Sequence, residues 1–167
     1  MEAIHTERLL IRPMVGDDAA FMLCLLNDPS WLRFIGDRGV RTLADAQAYI
    51  SNGPQRMYIS HGFGFCLVES LDGQQPLGIC GLAQRDYLDA PDIGFAFLPQ
   101  HGGQGYAYEA AAAVLAYARQ QLRLPRILAT TRLDNTASQR LLAKLGMHHA
   151  RTIRHPDGDR DLLLYEI

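Results

Sequence analysis

Two hydrophobic periods alternate along the chain. Period-two or continuous apolar runs predict strands at Arg8–Arg12 (RLLIR, ended by Pro13), Phe63–Glu69 (FGFCLVE), Leu77–Gln84 (LGICGLAQ) and Ile93–Leu98 (IGFAFL, ended by Pro99). The second and third of these flank DGQQP, whose Asp-Gly marks a turn. Ile127–Thr131 (ILATT) is a further run, and His148–Arg154 and Asp161–Glu166 close the chain around the turn residues of His155–Arg160 (HPDGDR).

Helical spacing interrupts these runs. Phe21, Met22, Leu25 and Leu26 follow Asp17 and Asp18 and predict a helix over Ala19–Asn27. Residues 28–41, with Pro29, Gly36 and Gly39, read as a loop or broken turn. Thr42 and Asp45 form a capping box for a helix carrying Leu43, Ala46 and Ile50 on one face, ended by Asn52, Gly53 and Pro54. Ala111, Val114, Leu115, Ala118 and Leu122 mark the longest helix, about five turns, stopped by Pro125. Asp134 and Asn135 can cap a last helix with Leu141, Leu142 and Leu145 as its apolar face and Gly146 as its C-cap. Hairpins join the early strands and helices the later ones. That order predicts an α/β fold of the α+β kind, a mixed sheet of about seven strands with four helices on its two faces.

With 167 residues, 48% of them hydrophobic, the chain can bury one sizeable core, so a single domain over residues 1–167 is the expectation. A formal net charge of −2 does not fit a protein that coats nucleic acid or an anionic membrane. No apolar run approaches the roughly twenty residues that span a bilayer. MEAIHTERLL lacks the basic-then-apolar pattern of a secretory signal, which makes a soluble, cytoplasmic protein the simplest expectation. Cys24, Cys66 and Cys80 are odd in number and widely spaced, which argues against a disulfide framework and against zinc. Their apolar contexts predict buried thiols acting as small hydrophobes. No metal site is expected.

The chemistry concentrates in Gln100–Glu109 (QHGGQGYAYE), between a strand and the longest helix. The first-turn N–H groups of a helix lack intrahelical partners and carry the positive end of its dipole. Glycines at 102, 103 and 105 let a phosphate approach that backbone closely. A pyrophosphate is the fitting guest. A Walker loop would need Lys-Ser or Lys-Thr after the glycines, and none follows. A Rossmann fingerprint read from Gly103 would place bulky Tyr108 where glycine or alanine must pack.

DIGFAFLPQHGGQGYAYEAAAAVLAYA followed by NTASQRLLAKLGM resembles the core of the GNAT superfamily of N-acetyltransferases, and the opening TERLLIRP is similar to the first strand of the branch that holds the ribosomal-protein N-terminal acetyltransferases. The resemblance extends over nearly the whole chain. The family loop, Q/R-x-x-G-x-G/A, falls on Gly102, Gly103, Gln104, Gly105, Tyr106 and Ala107; Gly102 departs from Gln or Arg and leaves the cradle to backbone amides.

The resemblance implies acetyl-CoA as cosubstrate and direct attack by an amine, without an acyl-enzyme. It places pantetheine beside Phe95, Phe97 and Leu98, where a β-bulge would splay this strand from Ile127–Thr131 and free backbone groups, with an N–H near Phe97 or Leu98 as oxyanion donor. Asn135 and Ser138 match the family's N-x-x-S, for pantetheine contact and for protonating the leaving thiolate; simple helix capping by Asn135, with Ser138 as a small helix residue, is the less favoured alternative. The tyrosine that many relatives carry four residues after this serine is Leu142 here. Asp92 stands where relatives often hold an acid and is the candidate base. The other glutamate slot of the branch is Ala150, with His149 as a substitute; adjacent strand residues face opposite ways, so His148 and His149 cannot easily share a site. Arg140 and Lys144 lie one turn apart, for the CoA 3′-phosphate or simply for solvent. The segment holding Trp31, Phe34 and Asp37, with His155–Arg160, is the implied acceptor wall, although Trp31 reads equally as core.

The function this implies is acetyl transfer to a primary amine such as a protein N-terminus, with a small-molecule or antibiotic amine as the alternative acceptor. A non-catalytic CoA-binding sensor is the alternative from another class, prompted by Leu142 and Ala150. A homodimer is common among relatives, though the sequence itself carries no oligomer signal.

Overall fold

The computed structural model describes residues 1–167. The strands are β1 (Ile4–His5), β2 (Leu9–Pro13), β3 (Phe65–Ser70), β4 (Pro76–Ala83), β5 (Asp92–Phe97), β6 (Leu128–Arg132), β7 (His148–Arg154) and β8 (Asp161–Glu166). The helices are α1 (Ala19–Leu26), α2 (Pro29–Phe34), α3 (Leu43–Ile50), α4 (Arg56–His61), α5 (Tyr106–Gln120) and α6 (Thr136–Lys144). The mixed α/β architecture matches expectation, with one more strand and two more helices.

Each added helix has a local cause. Asp28 accepts from the Ser30 N–H at 3.0 Å and Pro29 occupies the first helical turn, where a missing N–H costs nothing, so this proline starts α2 rather than breaking the chain. Asn52–Pro54 does not end the helical path after α3. Pro54 has no N–H to give the ladder, and the chain widens into a π-type turn over Ser51–Gln55 before α4 resumes. The true stop is Gly62, with φ 76°. At the end of α5, the Gln121 and Leu122 amides both bond the Tyr117 carbonyl and Arg123 turns left-handed at φ 54°, so the helix closes before Pro125 is reached.

All strands join one sheet in the order β1-β2-β3-β4-β5-β6-β8-β7. Every neighbouring pair is antiparallel except β5 and β6, which run parallel. The main core lies under α5, where Ala110, Ala111, Val114 and Ala118 meet Ile11, Val68 and Leu82. On the other face α1 and α3 pack Met22, Leu25, Leu26 and Ile50 over Leu67 and Ile79. Cys66 and Cys80 are buried, and burial pushes the Cys66 thiol up to about 12 and the Cys80 thiol up as well. Cys24, expected inside, is exposed on α1. No helix is long and apolar enough to cross a membrane.

Candidate active site

The sheet opens at its one parallel step. β5 and β6 share a single paired position, Asp92 with Leu128, where the Leu128 N–H donates to the Pro91 carbonyl at 2.9 Å. Beyond it the strands diverge. The expected bulge is not the cause: β5 stays in unbroken register with β4 from Ala83–Asp92 to Gly78–Phe97. β6 likewise remains paired to β8 along its whole length, so the two halves of the sheet part at this step while each keeps its own ladder.

Ladder geometry then decides which backbone groups of β5 are free. The Leu98 N–H donates to the Leu77 carbonyl at 3.1 Å, so it is turned towards β4 and committed there. Backbone groups alternate sides along an antiparallel strand, so Phe95 and Phe97 turn theirs to the β6 side, where no ladder continues. The expectation of a free Leu98 amide is therefore corrected; the free groups belong to Phe95 and Phe97. Their side chains pack on the core under α5, whereas Ala96 and Leu98 face the other core.

A cavity of about 410 Å³ fills the opening. Asp92, Phe95, Phe97, Ala107, Asn135 and Ser138 all line it. Gly102–Tyr106 and Leu98 lie outside its lining, the glycine loop forming an exposed rim instead. That loop leaves β5 through a single 3₁₀ turn at Pro99–His101 and enters α5 through Gly105. Gly103 and Gly105 hold φ of 73° and 80°, the left-handed region that side chains disfavour. Gly105 is the N-cap and offers no side chain, so the first-turn N–H groups of a fifteen-residue helix face outward uncapped.

An unforeseen residue fixes this loop. Arg8 donates through Nη1 to the Gln104 carbonyl at 2.9 Å and through Nε to Glu109 at 2.7 Å, and its guanidinium lies 4.6 Å from the Tyr106 ring centre. The Arg8 N–H and the Thr6 hydroxyl also donate to Glu109, at 2.9 and 2.6 Å. The start of α5 is thus tied to the loop before β2, a link no local pattern announces.

Asn135 caps α6 by accepting the Ser138 N–H at its Oδ1, 3.2 Å away, which leaves its Nδ2 for other partners. Deeper in the cavity Asp92 is 2% exposed, and the Arg85 Nε–H donates to both its oxygens, at 3.0 and 3.1 Å. Burial pushes its carboxyl above the usual carboxylate range, against the pull of Arg85. Trp31 and Phe34 of α2, with His155 and Arg160 of the β7–β8 turn, complete the far wall. Trp31 is both core and wall, 5% exposed. Asp37 is not on the wall; it pairs with Arg41 at 2.5 Å on the surface.

His149 is exposed on β7, stacked near Tyr165, and does not line the cavity, nor does His148. Arg140 is exposed, and Lys144 covers the Tyr108 ring at 4.2 Å. His155, Asp157 and Asp159 bring one ligand atom each within 4.8 Å of one another, but the His155 Nδ1 already accepts the Asp157 N–H at 3.2 Å, as turn geometry requires. Arg38, Arg85, Tyr87 and Thr131 line the cavity without having been singled out in the sequence.

Known proteins place this arrangement. The family described as the acetyltransferase (GNAT) domain matches residues 8–148. The uncharacterized protein YkkB of Bacillus subtilis is 32% identical over 152 residues, 89% of this chain and 87% of its own. The uncharacterized N-acetyltransferase YoaA of the same organism is 30% identical over 155 residues, 90% of this chain and 85% of its own. A GNAT-family acetyltransferase from Bacillus anthracis has the same fold, with a TM-score of 0.81 at 26% identity over 99% of this chain and 97% of its own. RimL, a ribosomal L7/L12 alpha-N-protein acetyltransferase solved in complex with coenzyme A, gives a TM-score of 0.85 at 16% identity over 99% and 97% of the two chains, a likeness of fold alone.

The fold, with its splayed parallel step beside a glycine-opened helix, is that of an acetyltransferase class. The chain belongs to the GNAT family of acetyltransferases and is an N-acetyltransferase that draws on acetyl-CoA.

Proposed function

We propose that residues 1–167 act as one transferase domain that moves the acetyl group of acetyl-CoA directly to a primary amine, with both substrates held together in the cavity between β5 and β6. The observation that carries this is the splay itself: one paired step, a row of free β5 backbone groups, and an uncapped α5 N-terminus at its outer end. These features fit the cosubstrate, since an elongated amide-bearing arm needs strand-edge partners and a pyrophosphate needs backbone N–H groups. The RimL structure, which contains coenzyme A, supports the same use of the fold.

In this reading Gly102, Gly103, Gln104, Gly105, Tyr106 and Ala107 bind the pyrophosphate through backbone N–H groups. Phe95 and Phe97 offer their backbone to the pantetheine amides, and the Phe97 N–H is the donor to the carbonyl oxygen where negative charge develops. Leu98 contributes by side-chain packing only, since its N–H is spent on Leu77. Asn135 holds the arm through Nδ2, and the Ser138 hydroxyl relays the second proton of the attacking nitrogen to the departing sulfur, taking one proton as it gives the other. Asp92 takes the proton of the acceptor ammonium, its carboxylate kept in place by Arg85. Acetyl-CoA supplies the acetyl group as a thioester, whose thiolate leaves readily enough to tolerate Leu142 in place of a tyrosine acid.

Two measurements test this together: calorimetric affinity for CoA, and thiol release from acetyl-CoA with a panel of primary amines and N-terminal peptides. Micromolar binding with amine-dependent release is expected. Tight CoA binding with no acetylation of any amine would leave the sensor reading in its place.

A further inference from the structure

The charge and the unpartnered donors of the acceptor wall carry one step further, resting on the acetyl-transfer reading above. Asp92 is the one carboxylate that lines the cavity, and it is already engaged by Arg85. Against it stand Arg132 of β6, which pairs with Asp134 at 3.4 Å, and three further arginines, Arg38, Arg85 and Arg160, brought from the segment after α2, the loop after β4 and the β7–β8 turn. They act on a common space: burial raises the phenols of Tyr49 and Tyr87, while Arg38 and Arg85 pull back on Tyr49, and Arg85 and Arg160 on Tyr87. Arg38 is exposed at the mouth and has no ion-pair partner. Arg160 meets only Asp159, itself 58% exposed on the outer turn, where pairing is weak.

The second observation is independent of net charge. Three buried side-chain polar atoms have no partner in the chain: Trp31 Nε1, Arg160 Nε and Thr131 Oγ1. All three residues line this cavity. Trp31 and Arg160 can only donate. Buried donors without acceptors are costly, and an acceptor oxygen brought by a ligand in the adjoining cavity would relieve that cost if the wall adjusts to it.

We infer that the acceptor is a small primary amine carrying its own carboxylate or phosphate, received by Trp31, Arg38 and Arg160, and that polycationic amines are rejected. A polyamine or aminoglycoside would bring like charge to a cavity lined by four arginines and one carboxylate, and would leave the indole and guanidinium N–H groups unsatisfied.

Matched pairs separate the anion from the amine: glycine against glycinamide, phosphoethanolamine against ethanolamine, with spermidine as the polycation, each followed by thiol release from acetyl-CoA. At least one anionic member should exceed its neutral partner in kcat/KM by about tenfold or more, even though glycinamide offers the more readily deprotonated amine. Spermidine should be the poorest. Whether the carboxylate or the phosphate pair shows the larger ratio identifies the anion. In Arg38→Gln, an exposed site with little bearing on folding, and in Arg160→Gln, the ratio should fall towards one with CoA affinity retained. Neutral amines or spermidine turned over as well as the anionic ones, or ratios unchanged in both variants, would overturn the inference. So would failure of every anionic amine while CoA still binds; loss of CoA binding itself would instead strike at the acetyl-transfer reading.

Discussion

At the scale of single residues, the buried carboxylate of Asp92 has the most to explain. Two Arg85 contacts stabilise its charge, yet burial prevails and its proton is held more tightly than in water. A base whose pKa is raised stays protonated, and so inactive, at pH values where an ordinary carboxylate would already be free. The acid limb of kcat/KM should accordingly lie above the carboxylate range of about 4. Asp92→Asn preserves the shape and one acceptor for Arg85 but cannot take a proton. It should lower kcat/KM by on the order of 10²-fold at neutral pH, with the gap narrowing as pH falls and the wild-type base titrates. A variant with the wild-type acid limb intact would remove Asp92 from the proton path.

Gly105 tests the other end of the site. Its φ of 80° excludes most side chains, and an added Cβ would lie 3.4 Å from an Arg8 Nη. Gly105→Val should weaken CoA binding by more than about tenfold, the loss of one or two amide contacts. Because the residue is exposed, unfolding should move by only a few degrees, roughly the effect of 1–2 kcal/mol. Undiminished affinity for CoA would refute the cradle.

At the scale of elements, the chain reads well where a period runs unbroken and poorly where a turn signal is reused. The strand runs, the capping box of α3 and the apolar stripe of α5 were legible because burial on one face repeats with the backbone period. Pro29 and Pro54 misled for opposite reasons: one opens a helix, the other sits in a π-type turn between two. The site divides the same way. Gly102–Ala107 and Asn135–Ser138 are contiguous motifs and so could be read directly. Trp31 and Arg160 fell within the two segments expected at the acceptor wall. Arg8 could not be read, since Gln104 and Glu109 lie 96 and 101 residues away, and Arg85 meets Asp92 only where β4 and β5 pair.

The π-type turn has a measurable anchor. The Tyr58 hydroxyl, on α4 just beyond it, accepts the Met14 N–H at 3.0 Å and donates to the Phe65 carbonyl. Gly64 makes room for the ring, for a Cβ there would sit 2.5 Å from Tyr58 Cε1. Tyr58→Phe strands both backbone groups and should cost about 1–3 kcal/mol. A fall in Tm of roughly 2–10 °C in a thermal melt follows for a chain of this size. A melt unchanged within a degree would show that α4 is held by packing alone.

For the whole molecule, the consequence is mechanical. The sheet is two halves, β1–β5 and β6–β8, that share one ladder step at Asp92 and Leu128 and otherwise meet through the core under α5. A ligand lying in the gap substitutes for the missing ladder, so its binding energy is expressed where the sheet is weakest. At a hundredfold excess over Kd, CoA should add about 2.7 kcal/mol to stability, and Tm should rise by roughly 5–10 °C. The location discriminates more sharply than the size. Amide exchange should slow at Phe95, Phe97 and the first turn of α5, whose N–H groups have no partner in the fold, and change little along β2 and β3, which are already paired. Slowing spread evenly over all strands would mean that CoA stabilises the domain without entering the gap, and the splay would then have to be explained by packing between α5 and α6 rather than by the ligand it admits.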